Sequence, residues 1–268
     1  MATSMRATID EARSSAVPAG TGRPRFGLIW SIGRIEAKQM LRHPAFLLSV
    51  AFALLLFRGA IGASSETGLE LNLAWLVGGL AVGTLIGCVL TANVATVRAR
   101  RDRLVELYGS LPAPTEARTA GLLLGLALGI GGFSVVVGAV AWYAFERLDD
   151  DLATGADPFL YGQYLLAVVA LGTFGVAVGR WIPTVLGGPL VVVAHVFSGV
   201  MWIVPWIAIT SSGISVPWHL AYLVAVIVGF AALAFTRDRR TVLRVVLAIA
   251  ALGVAVVAAV QQTPPGGY

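Results

Sequence analysis

Lysine and cysteine each occur once in the sequence, as Lys38 and Cys88. A Walker A loop needs Gly-Lys followed by Ser or Thr. Lys38 follows Ala37, so this sequence does not carry the nucleotide-binding motif of an ATPase. A single cysteine excludes a disulfide framework and a cysteine-rich zinc site. Because Cys88 falls within an apolar segment, we interpret it as a small packing group.

Charged residues are also scarce. They make up 12% of the sequence, whereas hydrophobic residues make up 57% and the mean hydropathy is +0.84. About a quarter of the residues in a soluble domain are charged, so the composition predicts an integral membrane protein. The net charge of +5 does not predict nucleic-acid binding, because the basic residues sort by membrane side. No H-E-x-x-H, G-x-S-x-G or paired C-x-x-C occurs, and we expect no catalytic residue, metal site or cofactor.

Seven apolar stretches each have about the 20 residues that cross a hydrocarbon core about 30 Å thick. The predicted spans are Ala45–Ala63, Asn72–Val97, Thr119–Phe145, Phe159–Trp181, Thr184–Ile209, Val216–Phe235 and Val242–Val260. Seventeen of the 19 basic residues fall on one side of these spans, against Arg147 in an opposite connection. By the positive-inside rule the N-terminus is cytosolic. The fold class expected is an all-α integral membrane protein with six to seven transmembrane helices, in a bacterial plasma membrane.

Two segments precede the first predicted span. Residues 1–24 lack sustained apolar periodicity, which predicts a disordered cytosolic head. The spacing of apolar and basic residues over 25–43 predicts an amphipathic helix in the cytosolic headgroup layer. Trp30 would be its aromatic anchor, and Arg34, Lys38 and Arg42 would form a basic stripe. A helix packed on the protein itself is the alternative. Residues 44–260 form the predicted transmembrane domain, and residues 261–268 form a tail.

A polar island, Arg98–Ala120, separates the second and third predicted spans. Its first half places apolar residues on one helical face and charged residues around it, until Pro112 and Pro114 end the helix. This pattern predicts a short cytosolic helix that docks a partner protein. The predicted docking residues are Arg101, Arg103, Leu104, Glu106, Leu107, Tyr108 and Leu111. A solvated basic loop without a partner remains the alternative.

The same island carries a resemblance to a known family. The run Glu106 to Pro112, followed by Arg118 and a new apolar helix, resembles the permease subunits of type-2 ATP-binding-cassette (ABC) exporters. The stretch Arg34 to Pro44 is similar to the family's entry into its first membrane helix. The acidic residue and the glycine expected early in the island are missing.

The resemblance implies a six-helix permease above two ATPase subunits. Its pathway would form at a two-fold interface, mainly from the first, second and fifth helices, and the docking residues would meet the separate ATPase. The second permease would be a copy of this chain or a different one. The seventh apolar stretch departs from this pattern and would leave the C-terminus outside. It is either an accessory helix or a sign that the chain is part of a longer, duplicated permease.

Polar residues within the predicted spans are candidates for a substrate pathway, because hydrocarbon makes them costly. We single out Arg58, Asn93 and His195. Each also has a structural interpretation. Arg58 would pair with Glu66 or Glu70 or snorkel outward, His195 would be a satisfied buried imidazole, and Asn93 would hydrogen-bond a neighbouring helix.

Two functions of different classes stay open at this point. The first is the membrane subunit of an ATP-driven exporter of a hydrophobic or amphiphilic compound. The second is a non-transport scaffold or an assembly or regulatory subunit. A small secondary transporter is a weaker third option, because the predicted spans contain no carboxylate for ion coupling.

Overall fold

The computed structural model describes residues 26–67, 86–98, 115–148, 158–197, 215–237 and 241–262. Every regular element in these residues is helical, and no strand occurs among them, which confirms the all-α class. The elements are α1 (Phe26–Leu41), α2 (Pro44–Thr67), α3 (Ile86–Arg98), α4 (Thr115–Leu126), α5 (Gly132–Leu148), α6 (Pro158–Trp181), α7 (Gly187–Phe197), α8 (Val216–Thr236) and α9 (Val242–Gln262). A π-helical turn, Ala127–Gly131, joins α4 to α5.

Four helices are long and apolar enough to cross a membrane. They are Thr115–Val140, Gly162–Trp181, Pro217–Thr236 and Val242–Gln261, which correspond to the third, fourth, sixth and seventh predicted spans. The first, second and fifth predicted spans each include residues outside the described side chains. At the first and second of these predicted spans, the described side chains cover shorter apolar helical stretches, Pro44–Leu55 of α2 and Ile86–Arg98. The described part of the chain therefore indicates a membrane protein with at least four candidate spans.

Helix α1 packs lengthwise against α4. A Cβ atom added at Gly125 would lie 2.7 Å from the Glu36 Cβ and 2.9 Å from the Gly33 carbonyl oxygen, and one at Gly129 would lie 3.0 Å from the Ala37 Cα. Gly121 comes just as close to Ile32, so the contacts advance along both helices in the same chain direction. The spacing of Gly121, Gly125 and Gly129 predicts such a close-packing face, and the structure confirms it.

The π-helical turn lies at the C-terminal end of this contact. It includes Gly129, and past it the Ser134 hydroxyl donates to the Ile130 carbonyl at 2.9 Å. A π-turn adds a residue to the helical turn and so rotates the faces on either side of it. On the N-terminal side of the turn, Gly121 and Gly125 face α1. On its C-terminal side, Val135, Val136 and Val140 are exposed on the bundle surface.

Glycines also bring α6 onto α3. A Cβ atom at Gly175 would lie 2.6 Å from the Val89 carbonyl oxygen, and one at Gly179 would lie 3.1 Å from that of Asn93. On its other side α6 packs against α8, which forms an antiparallel hairpin with α9. Cys88 is fully buried, as expected of a packing group. The first half of the chain is thus built around α3 and α4, and the last two helices close one flank.

Candidate coupling site at the basic end of the bundle

Helix ends from all parts of the described chain meet at one end of the bundle. The Trp181 indole donates to the Leu233 carbonyl at 3.0 Å, which joins the last turns of α6 and α8. At the start of α7, Gly187 and Gly188 lie against Asn93 near the end of α3. The basic residues at these helix ends include Arg98, Arg180, Arg237 and Arg244. We call this region the basic end.

An ion pair ties α1 to the last residue of α3. Arg98 Nη2 donates to both carboxylate oxygens of Glu36, at 3.0 and 3.1 Å. Burial raises the pKa of Glu36 above its ordinary value, although the nearby guanidinium acts in the opposite direction. The carboxylate is therefore largely removed from water. Its partner fixes the position of α1 relative to α3, and breaking such a pair leaves an uncompensated charge.

A second ion pair joins the start of α4 to the start of α9. Arg244 Nη2 lies 3.3 Å from Glu116 Oε1. Its Nη1 donates to the Phe235 carbonyl at 3.2 Å, and its guanidinium lies 5.7 Å from the centroid of the Phe235 ring. One arginine thus holds together the ends of α4, α8 and α9, and it does so in part by donating to a carbonyl at a helix C-terminus.

These two ion pairs flank the predicted docking segment. Arg98 is the last residue described before it, and Glu116 is the second residue described after it. The docking residues themselves lie outside the described residues. They are Arg101, Arg103, Leu104, Glu106, Leu107, Tyr108 and Leu111. Both flanks of the segment are therefore anchored to other helices, one to α1 and the other to α9.

A cavity of about 340 Å³ opens beside the first ion pair. It is lined by the end of α1, by the end of α3 and by Val185, two residues before α7. The lining residues are Gln39, Met40, His43, Thr91, Val94, Ala95, Arg98 and Val185. Burial and the Arg98 charge lower the pKa of His43 from its ordinary value, which favours the neutral imidazole. His43 Nδ1 accepts a hydrogen bond from the Ala45 amide at 3.2 Å, which assigns the proton to Nε2.

Two buried polar side chains near the cavity lack hydrogen bonds. The Thr91 hydroxyl and the Asn93 amide belong to residues with 1% and 0% exposure, and neither has a hydrogen-bond partner among the described residues. The expectation that Asn93 hydrogen-bonds a neighbouring helix is therefore wrong. Gly187 and Gly188 pack against the Asn93 side chain and offer no side-chain group to it. Unsatisfied buried polar groups are rare in native proteins and call for a functional or structural explanation.

The other predicted residues fall into two groups. Arg58 lies on α2 and His195 lies on α7, but the side chains of both lie outside the described ones. The three residues singled out on α1 and Arg42, which follows it directly, are all exposed, and Trp30 stacks on Phe26 with ring centroids 6.4 Å apart. Arg34, Lys38 and Arg42 are exposed, while Gly33 and Met40 of the same helix are buried. One face of α1 thus packs on the protein, and its basic stripe remains available to an anionic surface.

The sequence does not point to three polar residues that the structure withdraws from water. Glu36 is partly buried, and its partner Arg98 lies 62 residues away along the chain. Gln163 and His219 are buried near the opposite end of the bundle, and the His219 ring stacks on Tyr222 at 6.2 Å. The signal that could have found these two is the one that singled out Asn93, a lone polar residue in an apolar span.

Comparison of the chain with protein-family models, with curated proteins and with solved structures gave no match.

Proposed function

We propose that this chain is the membrane-spanning subunit of an exporter whose ATP is hydrolysed by a separate subunit of the ABC type. The observation that carries the proposal is the pair of ion pairs at the flanks of the predicted docking segment, Glu36–Arg98 and Glu116–Arg244. A loop without a partner has no need for anchors on two distant helices. A segment that transmits motion requires them.

The packing of α1 supports a mechanical role for the first anchor. Displacing Arg98 would move Glu36, and Glu36 is held on α4 because its Cβ lies so close to Gly125. Packed interfaces of this kind transmit shifts because they are not continuously deformable. In this proposal the ATPase pulls on residues 99–114, and α1, α3 and α4 move together as a unit.

The cavity at the basic end supports a transport role over a purely structural one. Its walls come from the entry to the first predicted span, from the second and from the start of the fifth. These are the helices from which the family resemblance builds a pathway. The chain would work as a homodimer or with a second permease, and the substrate would be hydrophobic or amphiphilic. Its membrane would be the bacterial plasma membrane, and its basic end would face the cytosol.

The orientation gives a labelling prediction. A cysteine introduced at Ser64 or Asp150 should react with a membrane-impermeant maleimide on intact cells, and one at Arg101 only after permeabilisation.

A tag after Tyr268 should be accessible from outside, because Arg237 and Arg244 hold the preceding connection inside. The native Cys88 is fully buried, so the unmodified chain serves as the blank. The opposite labelling pattern would place the basic end outside and exclude contact with a cytosolic ATPase.

The proposed function itself is tested by reversing the charges of the first anchor. Glu36→Arg or Arg98→Glu alone places like charges in contact, which costs several kcal/mol when the groups are poorly solvated. Each single reversal should lower the ATP-hydrolysis rate of the purified permease–ATPase complex about tenfold, equivalent to about 1.4 kcal/mol. The double variant restores the attraction and should recover most of the rate.

The control for this experiment is Arg34→Glu, a charge reversal on the exposed face of α1. It should leave the hydrolysis rate unchanged. Equal loss of activity in the single and double variants would show that the ion pair does not transmit motion. A chain that purifies without any ATPase would favour the scaffold function instead.

A further inference from the structure

We propose that the cavity between the end of α1 and the end of α3 binds an amphiphile with an anionic head group. The head group hydrogen-bonds Thr91 and Arg98. The apolar part of the amphiphile lies on Met40, Val94, Ala95 and Val185. The inference deepens the proposed function, because it names the substrate class and its site. Binding to the chain alone does not require the ATPase, so the two proposals can fail separately.

The size and the lining of the cavity fit such a ligand. Its volume of about 340 Å³ lies at the lower end of the range for ligand pockets. That space accepts a head group and the first carbons of a chain. Half of the lining residues are apolar, and Gln39, His43, Thr91 and Arg98 supply polar groups. Small-molecule sites characteristically combine mostly apolar walls with a few placed polar groups.

The charge at the cavity favours an anion. Among the described lining residues Arg98 supplies the positive charge, and the lowered pKa of His43 favours its neutral form. Only Nη2 of Arg98 donates to Glu36, so that ion pair leaves the Nε and Nη1 donors unused. An anionic oxygen matches these donors, and guanidinium groups bind carboxylate and phosphate oxygens with two parallel hydrogen bonds.

The Thr91 hydroxyl provides the independent observation. It is buried, belongs to a lining residue and has no hydrogen-bond partner in the part of the chain that the structure describes. Thr96, one turn further along the same helix, is also buried, but its hydroxyl donates to the Ala92 carbonyl at 2.7 Å. A threonine next to a helical backbone normally satisfies itself in this way. We infer that the head group supplies the missing partner of Thr91.

Three short-chain probes would test the site on the chain purified in a non-ionic detergent. Dihexanoyl phosphatidic acid carries both the anionic head and the apolar part, inorganic phosphate carries only the anion, and dihexanoyl phosphatidylcholine carries a zwitterionic head. Saturable binding by calorimetry or thermophoresis is expected for phosphatidic acid, with affinity at least about tenfold higher than for the other two. Equal affinity for inorganic phosphate would show that the cavity binds only the anion and would overturn the proposal that its ligand is an amphiphile.

Two variants on α3 test the residues. Thr91→Val should weaken phosphatidic acid binding about tenfold, the value of one hydrogen bond to a charged group, without lowering thermal stability. Thr96→Val is its matched control and should leave binding unchanged, because Thr96 does not line the cavity. Ala95→Leu should fill the cavity and abolish binding. Unchanged binding in Thr91→Val or in Ala95→Leu, or no saturable binding to the wild-type chain, would contradict the inference.

Discussion

Gly125→Ala should destabilise the chain by about 1–3 kcal/mol, the usual cost of overpacking a well-packed contact. The added methyl group would lie 2.7 Å from the Glu36 Cβ, 2.9 Å from the Gly33 carbonyl oxygen and 3.1 Å from the Ala37 amide nitrogen. Two of these atoms belong to the backbone of α1, so the methyl group fits only if the whole helix moves away. The Glu36–Arg98 ion pair would then lengthen as well.

Gly132→Ala is the matched control, seven residues further along the same run of helix. A Cβ atom there meets nothing within 4 Å. Alanine is a better helix former than glycine by up to about 1 kcal/mol, so this variant should be neutral or slightly stabilised. The two variants should therefore differ by several degrees in melting temperature in detergent, because about 1 kcal/mol corresponds to about 2–4 °C at this chain length. Equal melting temperatures would show that α1 is not in backbone contact with α4.

The transmembrane helices were predictable from the sequence because their signal is local. A run of about 20 apolar residues has a single stable conformation in hydrocarbon, since a helix satisfies every backbone group within itself. This argument predicted the third, fourth, sixth and seventh spans at nearly the bounds that the structure has. The glycine spacing also predicted a close-packing face on the third span.

The partner of that face was not predictable. Spacing tells which residues share a face of a helix but not which helix will meet it. The helical spacing of the apolar residues in α1 predicts one apolar stripe that includes both Trp30 and Met40, and the basic stripe predicts a position in the headgroup layer. The structure buries Met40 and exposes Trp30. Ten residues of helix separate the two by about 80° at 100° per residue, and the narrower face centred on Gly33 and Ala37 meets α4.

The candidate site could be predicted only in part for the same reason. The cost of a polar group in hydrocarbon is enough to single out Asn93 from sequence. The surroundings of Asn93 cannot be predicted in this way, because Gly187 and Gly188 lie some 90 residues further along the chain. Thr91 lies beside Asn93 in the same apolar span, but the sequence does not predict an unsatisfied hydroxyl there, because threonine usually satisfies its hydroxyl on its own helix. Only the comparison with Thr96 in the structure makes its missing partner visible.

The largest effect is expected from removing two apolar residues that the predicted docking segment carries. Leu107 and Tyr108 lie in a polar connection where an isolated loop has little reason to carry them. If they fill a groove in a partner, they act as binding anchors, and tyrosine is among the residues enriched at such positions. Leu107→Ala with Tyr108→Ala should weaken ATPase association roughly a hundredfold, about 2.7 kcal/mol. Membrane insertion should persist, because it depends on the apolar spans.

A matched control removes a similar apolar surface from a face exposed in the isolated chain. Val256 and Val257 of α9 are exposed on the outside of the bundle, far along the chain from the ion pair of Arg244. Their replacement by alanine should leave ATPase association unchanged. A comparable loss in both double variants would assign the effect to general destabilisation rather than to docking.

Co-purification of a Walker-motif ATPase with the tagged chain from native membranes tests the central claim most directly. The wild-type chain and the Val256→Ala, Val257→Ala variant should retain the ATPase in equal amounts, and the Leu107→Ala, Tyr108→Ala variant should lose nearly all of it at equal membrane insertion. An ATPase yield that the docking variant leaves unchanged, or a wild-type chain that retains no ATPase at all, would contradict the claim that residues 99–114 couple this membrane protein to a separate ATP-hydrolysing subunit.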